Sequence, residues 1–421
     1  MITRTASGVP SSIMIVLMLS VFTVSIGYGV TLPLLPYLIE RLLGSGVDAP
    51  QVSRSTGLLT GLYTLALFLF ASVWGHMSDR YGRRAVLLIG LIGFGATMLI
   101  FAFIESLTAM YAERFLSGMF AAAVTPSALA TIGDLATTEE ARARRLTFVG
   151  LAGISGFLLG PMVGVFIAGS VGTLLRIDGG AGALTLPLVG TAVLAILVAS
   201  VAAVTVPGVK RGDAAPKRAQ ADMTFSRWLV PKLLILSFIV SAAVGVFEVG
   251  LALRGKQVLG LTPYQIAVMF TECSLVMLVV QSIVFSPWIK PRTTRWFIAP
   301  ALAILAAGLF LVPRASNFTL TLGAIGVVAA SAGILSPILT YWISIKAGNA
   351  QGAELGKQTA AASLGAAVGS VAGGLLFDVA LLPHASFLLI TMLTVLGMLL
   401  SINLPNLLVT RTRGEAACDA V

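Results

Sequence analysis

Charged residues are scarce in this chain, so the few that interrupt its apolar runs are the natural candidates for chemistry. Glu248 and Glu272 each lie within a long apolar stretch, and Arg114 follows Glu113 near the head of another. A carboxyl in such a place suits reversible protonation. An arginine there costs about 2.5–3.5 kcal/mol on insertion scales, so it calls for a polar partner or a water-filled cavity. A blander placement puts the two acids near the outer boundary, merely hydrated, and lets Arg114 reach the outer surface and pair with Glu113. A second kind of chemistry is conformational. The stretch Gly75-His76-Met77-Ser78-Asp79-Arg80-Tyr81-Gly82-Arg83-Arg84 packs an acid and three arginines around two glycines. Gly75 and Gly82 suit close backbone approach and a tight turn. Asp79 can accept hydrogen bonds, and Arg80, Arg83 and Arg84 can form charge-assisted pairs. A short cytoplasmic loop obeying the positive-inside rule accounts for the arginines, but not for the acid and glycines at their offsets.

The elements that position these residues must be membrane helices. Of the 421 residues 57% are hydrophobic and 10% charged, and mean hydropathy is +0.98. Soluble domains carry about 25% charged residues. The abundant glycine, 44 residues, fits helices that approach closely in a bilayer. The net charge of +10 does not indicate nucleic acid, because the basic residues fall in short loops between spans. Cys273 and Cys418 imply no disulfide framework, and His76 and His384 belong to no metal or nucleophile constellation. The first apolar run, Ile13 to Ile39, is too long for a signal-peptide core and is expected as a retained helix.

Spans are expected at about 13–39, 55–77, 85–105, 108–132, 146–169, 183–206, 229–252, 264–287, 295–313, 317–345, 357–379 and 384–405. The longest polar interruption divides them six and six. It gives a first bundle at 1–206, a linker at 207–227 and a second bundle with a short tail at 228–421. Of the 27 Lys and Arg residues, 20 fall on the side of the linker and both termini and 6 on the other, with Arg114 inside a span. That asymmetry predicts cytoplasmic termini and linker. At an offset of 209 residues, Gly156, Gly160 and Gly164 match Gly365, Gly369 and Gly373, and Arg83 matches Arg292. Glycines at spacing four are common in membrane helices, but one offset aligning a glycine ladder and a basic loop favours an internal duplication.

The pattern G-x-x-x-D-R-x-G-R-R at Gly75–Arg84 resembles the signature loop between helices 2 and 3 of the major facilitator superfamily. That resemblance implies an all-α membrane protein, with about twelve helices in two pseudo-symmetric six-helix bundles. It also implies a latch in which Arg83 pairs with Asp134 and Asp79 faces the start of span eleven. Gly156-x-x-x-Gly160-Pro161-x-x-Gly164 resembles a motif of the superfamily's antiporters, although Thr147 stands near where the family has an earlier glycine. On the residues alone it is a kinked packing face. Arg114 and Gly118 resemble the R-x-x-x-G motif linked to proton coupling. Gly29-x-x-x-Pro33-x-x-Pro36 lies in a region resembling twelve-helix drug–proton antiporters of the multidrug and tetracycline type. Those exporters often carry an acid on the first helix. Here that helix offers only neutral polar groups such as Tyr28 and Thr31, which with Glu113 are cavity candidates.

The expected function is proton-coupled export of small amphiphilic or lipophilic compounds by alternating access, without enzymatic activity. The alternative is proton-coupled uptake or facilitated diffusion of a sugar or organic acid, and a receptor or membrane enzyme is remote. Depth along the spans puts Arg114 about 9 Å, Glu272 about 13 Å and Glu248 about 7 Å from the outer helix ends. Glu272, the deepest, is the expected proton carrier, with Glu248 a substrate contact or second carrier and Arg114 setting the cavity potential. No cofactor is expected, the proton gradient being the energy source. The expected partners are a small-molecule substrate, protons and the lipid bilayer, with no nucleic acid and the protein acting as a monomer. The expected location is a bacterial inner membrane.

Overall fold

The computed structural model describes residues 10–44, 46–135, 139–167, 181–208, 229–284, 291–346, 351–379, 382 and 384–408. Arg4, Arg176, Lys210, Arg211, Lys217, Arg218, Arg227, Lys290, Arg411, Arg413, Cys418 and the loop at 286–290 lie outside the described residues, as do the side chains of Glu139, Glu140, Arg142, Arg144, Thr147, Arg292 and Lys346. Twelve long helices account for nearly all the rest. They are α1 (Ser11–Leu43), α2 (Ala49–Tyr81), α3 (Arg83–Ala102), α4 (Leu107–Leu135), α5 (Glu139–Phe166), α6 (Ala181–Thr205), α7 (Leu229–Leu253), α8 (Pro263–Val284), α9 (Ile298–Leu311), α10 (Phe318–Lys346), α11 (Gln351–Leu375) and α12 (Ala385–Ser401). A short turn, α13 (Leu404–Leu407), follows. No strand occurs among the described residues. Nine of the described helical stretches are long and apolar enough to cross a bilayer, and those at Phe148–Gly164 and Ala385–Ser401 are shorter apolar ones.

The chain forms two compact units. The first combines 1–216 with 255–271, and the second combines 217–254 with 272–421. In the first unit, α1 packs along α5 and α6, α3 along α4 and α6, and α2 along α4. Leu17, Leu87, Leu91, Phe94, Met98, Val124 and Ala195 form its fully buried centre. The α2–α4 seam is pinned by Trp74, whose Nε1 donates to the Met119 carbonyl at 2.7 Å. In the second unit, α7 packs along α11, and α9 packs against α10 and α12. Trp342 Nε1 donates to Thr294 Oγ1 at 3.1 Å there.

Close backbone contact is made in the same way in both units. A Cβ on Gly156 would stand 2.5 Å from the Phe22 carbonyl oxygen, and one on Gly160 2.8 Å from that of Ile26. In the second unit a Cβ on Gly365 would stand 2.3 Å from the Phe238 oxygen, and one on Gly369 2.1 Å from that of Ala242. The fifth helix of each unit thus lies directly on the first, and only glycine permits that spacing. Gly164 is looser, with nothing closer than 3.5 Å.

Candidate functional site

The signature stretch is more helical than a loop. α2 continues through the polar residues to Tyr81, and α3 begins at Arg83, so the connection is Gly82 alone. Gly82 has φ 98°, in the left-handed region that side chains avoid, and it ends one helix and starts the next. Gly75 corrects the expectation of a close approach: it lies inside α2, and no heavy atom comes within 4 Å of where its Cβ would be. Arg83 is the hub. Its Nη2 contacts Asp79 Oδ1 at 2.5 Å, its Nε donates to Asp134 Oδ2 at 3.1 Å, and its Nη1 donates to Ser78 Oγ at 3.2 Å. The Arg83–Asp134 pair expected from the resemblance is therefore formed, and Asp79 is held by the same guanidinium. Arg80 lies over the Tyr81 ring, and Arg84 donates to the Ala203 carbonyl at the end of α6.

Inside the first unit, Tyr28, Thr31 and Arg114 line one cavity with Leu32, Leu35, Thr60 and Tyr63. Its volume is about 10 Å³, room for roughly one water. Tyr28 stacks on Tyr63 at 5.1 Å and on Phe157 at 5.8 Å, and Thr31 turns its hydroxyl to the Gly27 carbonyl. Arg114 does not reach the surface. It is 2% exposed and Glu113 3%, and the two form a bidentate pair, Nε to Oε2 at 2.7 Å and Nη2 to Oε1 at 2.9 Å. The guanidinium lies 4.1 Å over the Phe101 ring and 5.7 Å from the centre of the Tyr63 ring.

In the second unit, Glu248 on α7 and Glu272 on α8 are both half-buried. Cys273, buried beside Glu272, lies within electrostatic reach of both carboxylates, so the two acids share one neighbourhood. Glu272 Oε1 is 3.6 Å from where a Cβ on Gly326 of α10 would be, so the carboxyl lies beside α10. Among the described residues nothing donates a hydrogen bond to the buried Glu272 Oε2. No group of three His, Cys, Asp or Glu able to hold a metal ion occurs among the described residues. His384 caps α12 beyond the span at φ 64°, and burial first, then Arg254 and Arg314, hold its imidazole below the usual range.

A further polar cluster escaped the sequence reading. Residues 255–271, the connection after α7 together with the start of α8, belong to the first unit. Lys256 in this segment pairs with Glu40, donates to the Pro36 carbonyl at 2.8 Å, and lies 4.7 Å over the Tyr37 ring. Tyr37 in turn donates to the Leu261 carbonyl at 2.5 Å. Gln257 Nε2 donates to Ser53 Oγ at 3.1 Å and to the Ala49 carbonyl at 3.2 Å. The contacts span more than 200 residues of sequence, and only the short turn signal around Gly260 marks the segment.

Nine spans long and apolar enough to cross a bilayer and two shorter apolar helices among the described residues, with charged groups buried in both units, define a polytopic membrane protein. The chain belongs to the Major Facilitator Superfamily, whose family description matches residues 17–356. It is 26% identical over 372 residues to Multidrug resistance protein 1 of Bacillus subtilis, covering 86% of this chain and 89% of that protein. It is 24% identical over 367 residues to Quinolone resistance protein NorA of Staphylococcus aureus, with 86% and 89% covered. Among solved structures, a bacterial homolog of the human lysosomal transporter Spinster matches with a TM-score of 0.74 at 14% identity, over 95% of this chain and 98% of that one. A D-xylose–proton symporter matches at 0.71 and 15% identity, over 94% and 97%. These two likenesses concern the fold.

Proposed function

We propose that the protein is a proton-coupled antiporter that exports small amphiphilic or lipophilic compounds by alternating access. The observation that carries this reading is the Glu272 carboxyl. One of its oxygens is buried in an apolar helix without a hydrogen-bond donor among the described residues. A carboxylate oxygen buried without a donor makes the charged form costly, so the group is suited to gain and lose a proton as its surroundings change. Glu248, in the same neighbourhood, serves as a substrate contact or second carrier. Names of multidrug and quinolone resistance among full-length relatives support export over uptake of a sugar or organic acid. In this reading the termini are cytoplasmic, the membrane is a bacterial inner membrane, and the protein works as a monomer with the proton gradient as its energy source and no cofactor.

Proteoliposomes test it. With an imposed pH gradient, rhodamine 6G is expected to move against the proton flow, and collapsing the gradient should stop it. Movement of dye in the same direction as protons would contradict the antiport reading.

A further inference from the structure

Arg254 is the residue of the second unit that its surroundings explain least. It directly follows α7 and is 4% exposed. Its Nη2 donates to the Ala315 carbonyl, while its Nε is buried with no partner among the described residues. Nor does any carboxylate among them pair with this guanidinium. The carbonyl bond staples the end of α7 to the connection between α9 and α10, and a neutral donor would serve as well. A buried charge without a counter-charge is costly, so the staple does not account for an arginine.

The head of α12 comes to the same place. α12 runs antiparallel to α7, with Gly397 against Leu236 and Ile239 and with Phe387 against Gly250. Arg254 stands one turn beyond Gly250, and His384 one turn before Phe387, so the two meet at the end of this seam. His384 lies within electrostatic reach of Arg254 and of Arg314. Ser386, in the first turn of α12, is 1% exposed, and its Oγ also has no partner among the described residues. α12 has no side-chain cap and no acid in its first turn, so the positive end of its dipole is uncompensated there. Arg314 and His384 are exposed. Arg314 holds its guanidinium 3.5 Å over the Phe310 ring and donates to the Phe310 carbonyl at 2.7 Å. The nearest acid in sequence to α12, Asp378, is exposed. Two unpartnered polar side chains, each more than nine-tenths buried, thus share an uncapped helix head with two further basic groups. That combination calls for an anion.

We propose that this cluster binds a phosphate group, with Arg254 and Ser386 as the floor of the site and Arg314 and His384 as its mouth. The Arg254 guanidinium and the Ser386 hydroxyl donate to phosphate oxygens, and Arg314 supplies a second guanidinium from the surface. A phospholipid headgroup and free phosphate share this chemistry. The headgroup is the favoured source, because exposed Leu311 and Leu382 stand within three residues of Arg314 and His384. Arginine at the end of an apolar span beside exposed leucines sits at headgroup depth. The site does not depend on the direction of transport or on proton coupling.

Native mass spectrometry of the delipidated full-length protein tests the proposal with dioleoyl phosphatidylglycerol, and melting temperature tests it with inorganic phosphate. The wild type should hold one phosphatidylglycerol whose affinity falls about tenfold in Arg254→Gln, the loss expected for one charge-assisted contact. Glutamine keeps a donor for the Ala315 carbonyl. Because Arg254 is buried, a double variant at exposed positions, Arg314→Gln with His384→Gln, is measured alongside and should weaken the same lipid. If inorganic phosphate raises the melting temperature of the wild type but not of the variants, while the lipid binds all three alike, the site stands with free phosphate as its ligand. Equal responses of the wild type and the double variant to both probes would overturn the proposal, whatever Arg254→Gln shows.

Discussion

Arg83, the first residue of α3, reaches Asp134 near the end of α4 at 3.1 Å while also gripping Asp79 on α2 at 2.5 Å. One guanidinium therefore serves two carboxylates from two helices. Asp79 is 61% and Asp134 35% exposed, so each pair contributes only about 0.2–1 kcal/mol to stability. The consequence is expected in transport rather than in folding. Arg83→Ala should reduce dye export more than Asp134→Asn or Asp79→Asn alone, because it releases both acids. The Asp79→Asn, Asp134→Asn double variant should match Arg83→Ala. A triple variant markedly worse than Arg83→Ala would show that the acids act elsewhere. Expression and melting temperature are the controls, and both should stay near wild type.

The two glycine ladders predict contrasting stabilities. Gly369→Ala forces a methyl to within 2.1 Å of a backbone oxygen, so α11 must move off α7. Overpacking of this kind costs about 1–3 kcal/mol, and the melting temperature should fall clearly. Gly160→Ala should act similarly on α5 and α1. Gly75→Ala meets open space in a helix interior, where alanine is favoured by about 1 kcal/mol, so it should melt at or above the wild-type temperature.

The Lys256 cluster makes a local prediction. Lys256→Gln removes the charge paired with Glu40 and weakens the contact with the Pro36 carbonyl. Amide hydrogen exchange over residues 255–262 should then accelerate, with little change in the buried helices. Tyr37→Phe, which removes the bond to Leu261, should do the same by about 1 kcal/mol of protection. Equal exchange in wild type and both variants would mean that the segment is held by its apolar contacts instead.

His384 gives a pH-dependent prediction with a definite sign. Burial and two nearby arginines disfavour its protonated form, so its titration midpoint should lie below 6.5. A histidine depressed in the folded state destabilises as pH falls from its unfolded value toward its folded one. His384→Gln should therefore lessen the loss of stability on acidification. Imidazole resonances in a His76→Gln background give the midpoint, and a value at or above 6.5 would contradict the environment described here.

The number of long helices was legible because about 20 apolar residues per bilayer crossing leave an unmistakable mark. Helix ends were less so. Hydropathy marks the lipid-facing length, whereas α2 runs on through Ser78, Asp79 and Arg80, and α5 starts at Glu139 rather than near 146. The Arg83–Asp134 pair was legible through the motif. Gly75 misled because glycine in a signature stretch suggests contact, and only the surrounding coordinates reveal open space. The Lys256–Glu40 pair carries no periodicity and joins residues 216 apart. For Glu113 and Arg114 the sequence leaves open both a pair at the surface and a buried charge beside a cavity. The burial of the pair follows from the aromatic rings and cavity that the fold assembles around it.

The central claim is that the half-buried Glu272 carboxyl couples cargo movement to protons, and Glu272→Gln addresses it most directly. Two assays on one preparation of proteoliposomes suffice: rhodamine 6G transport driven by a pH gradient, and rhodamine 6G exchange without a gradient. The variant is expected to lose gradient-driven transport while exchange persists, because cargo binding and alternation survive without the proton. Gradient-driven transport at the wild-type rate in Glu272→Gln would contradict it.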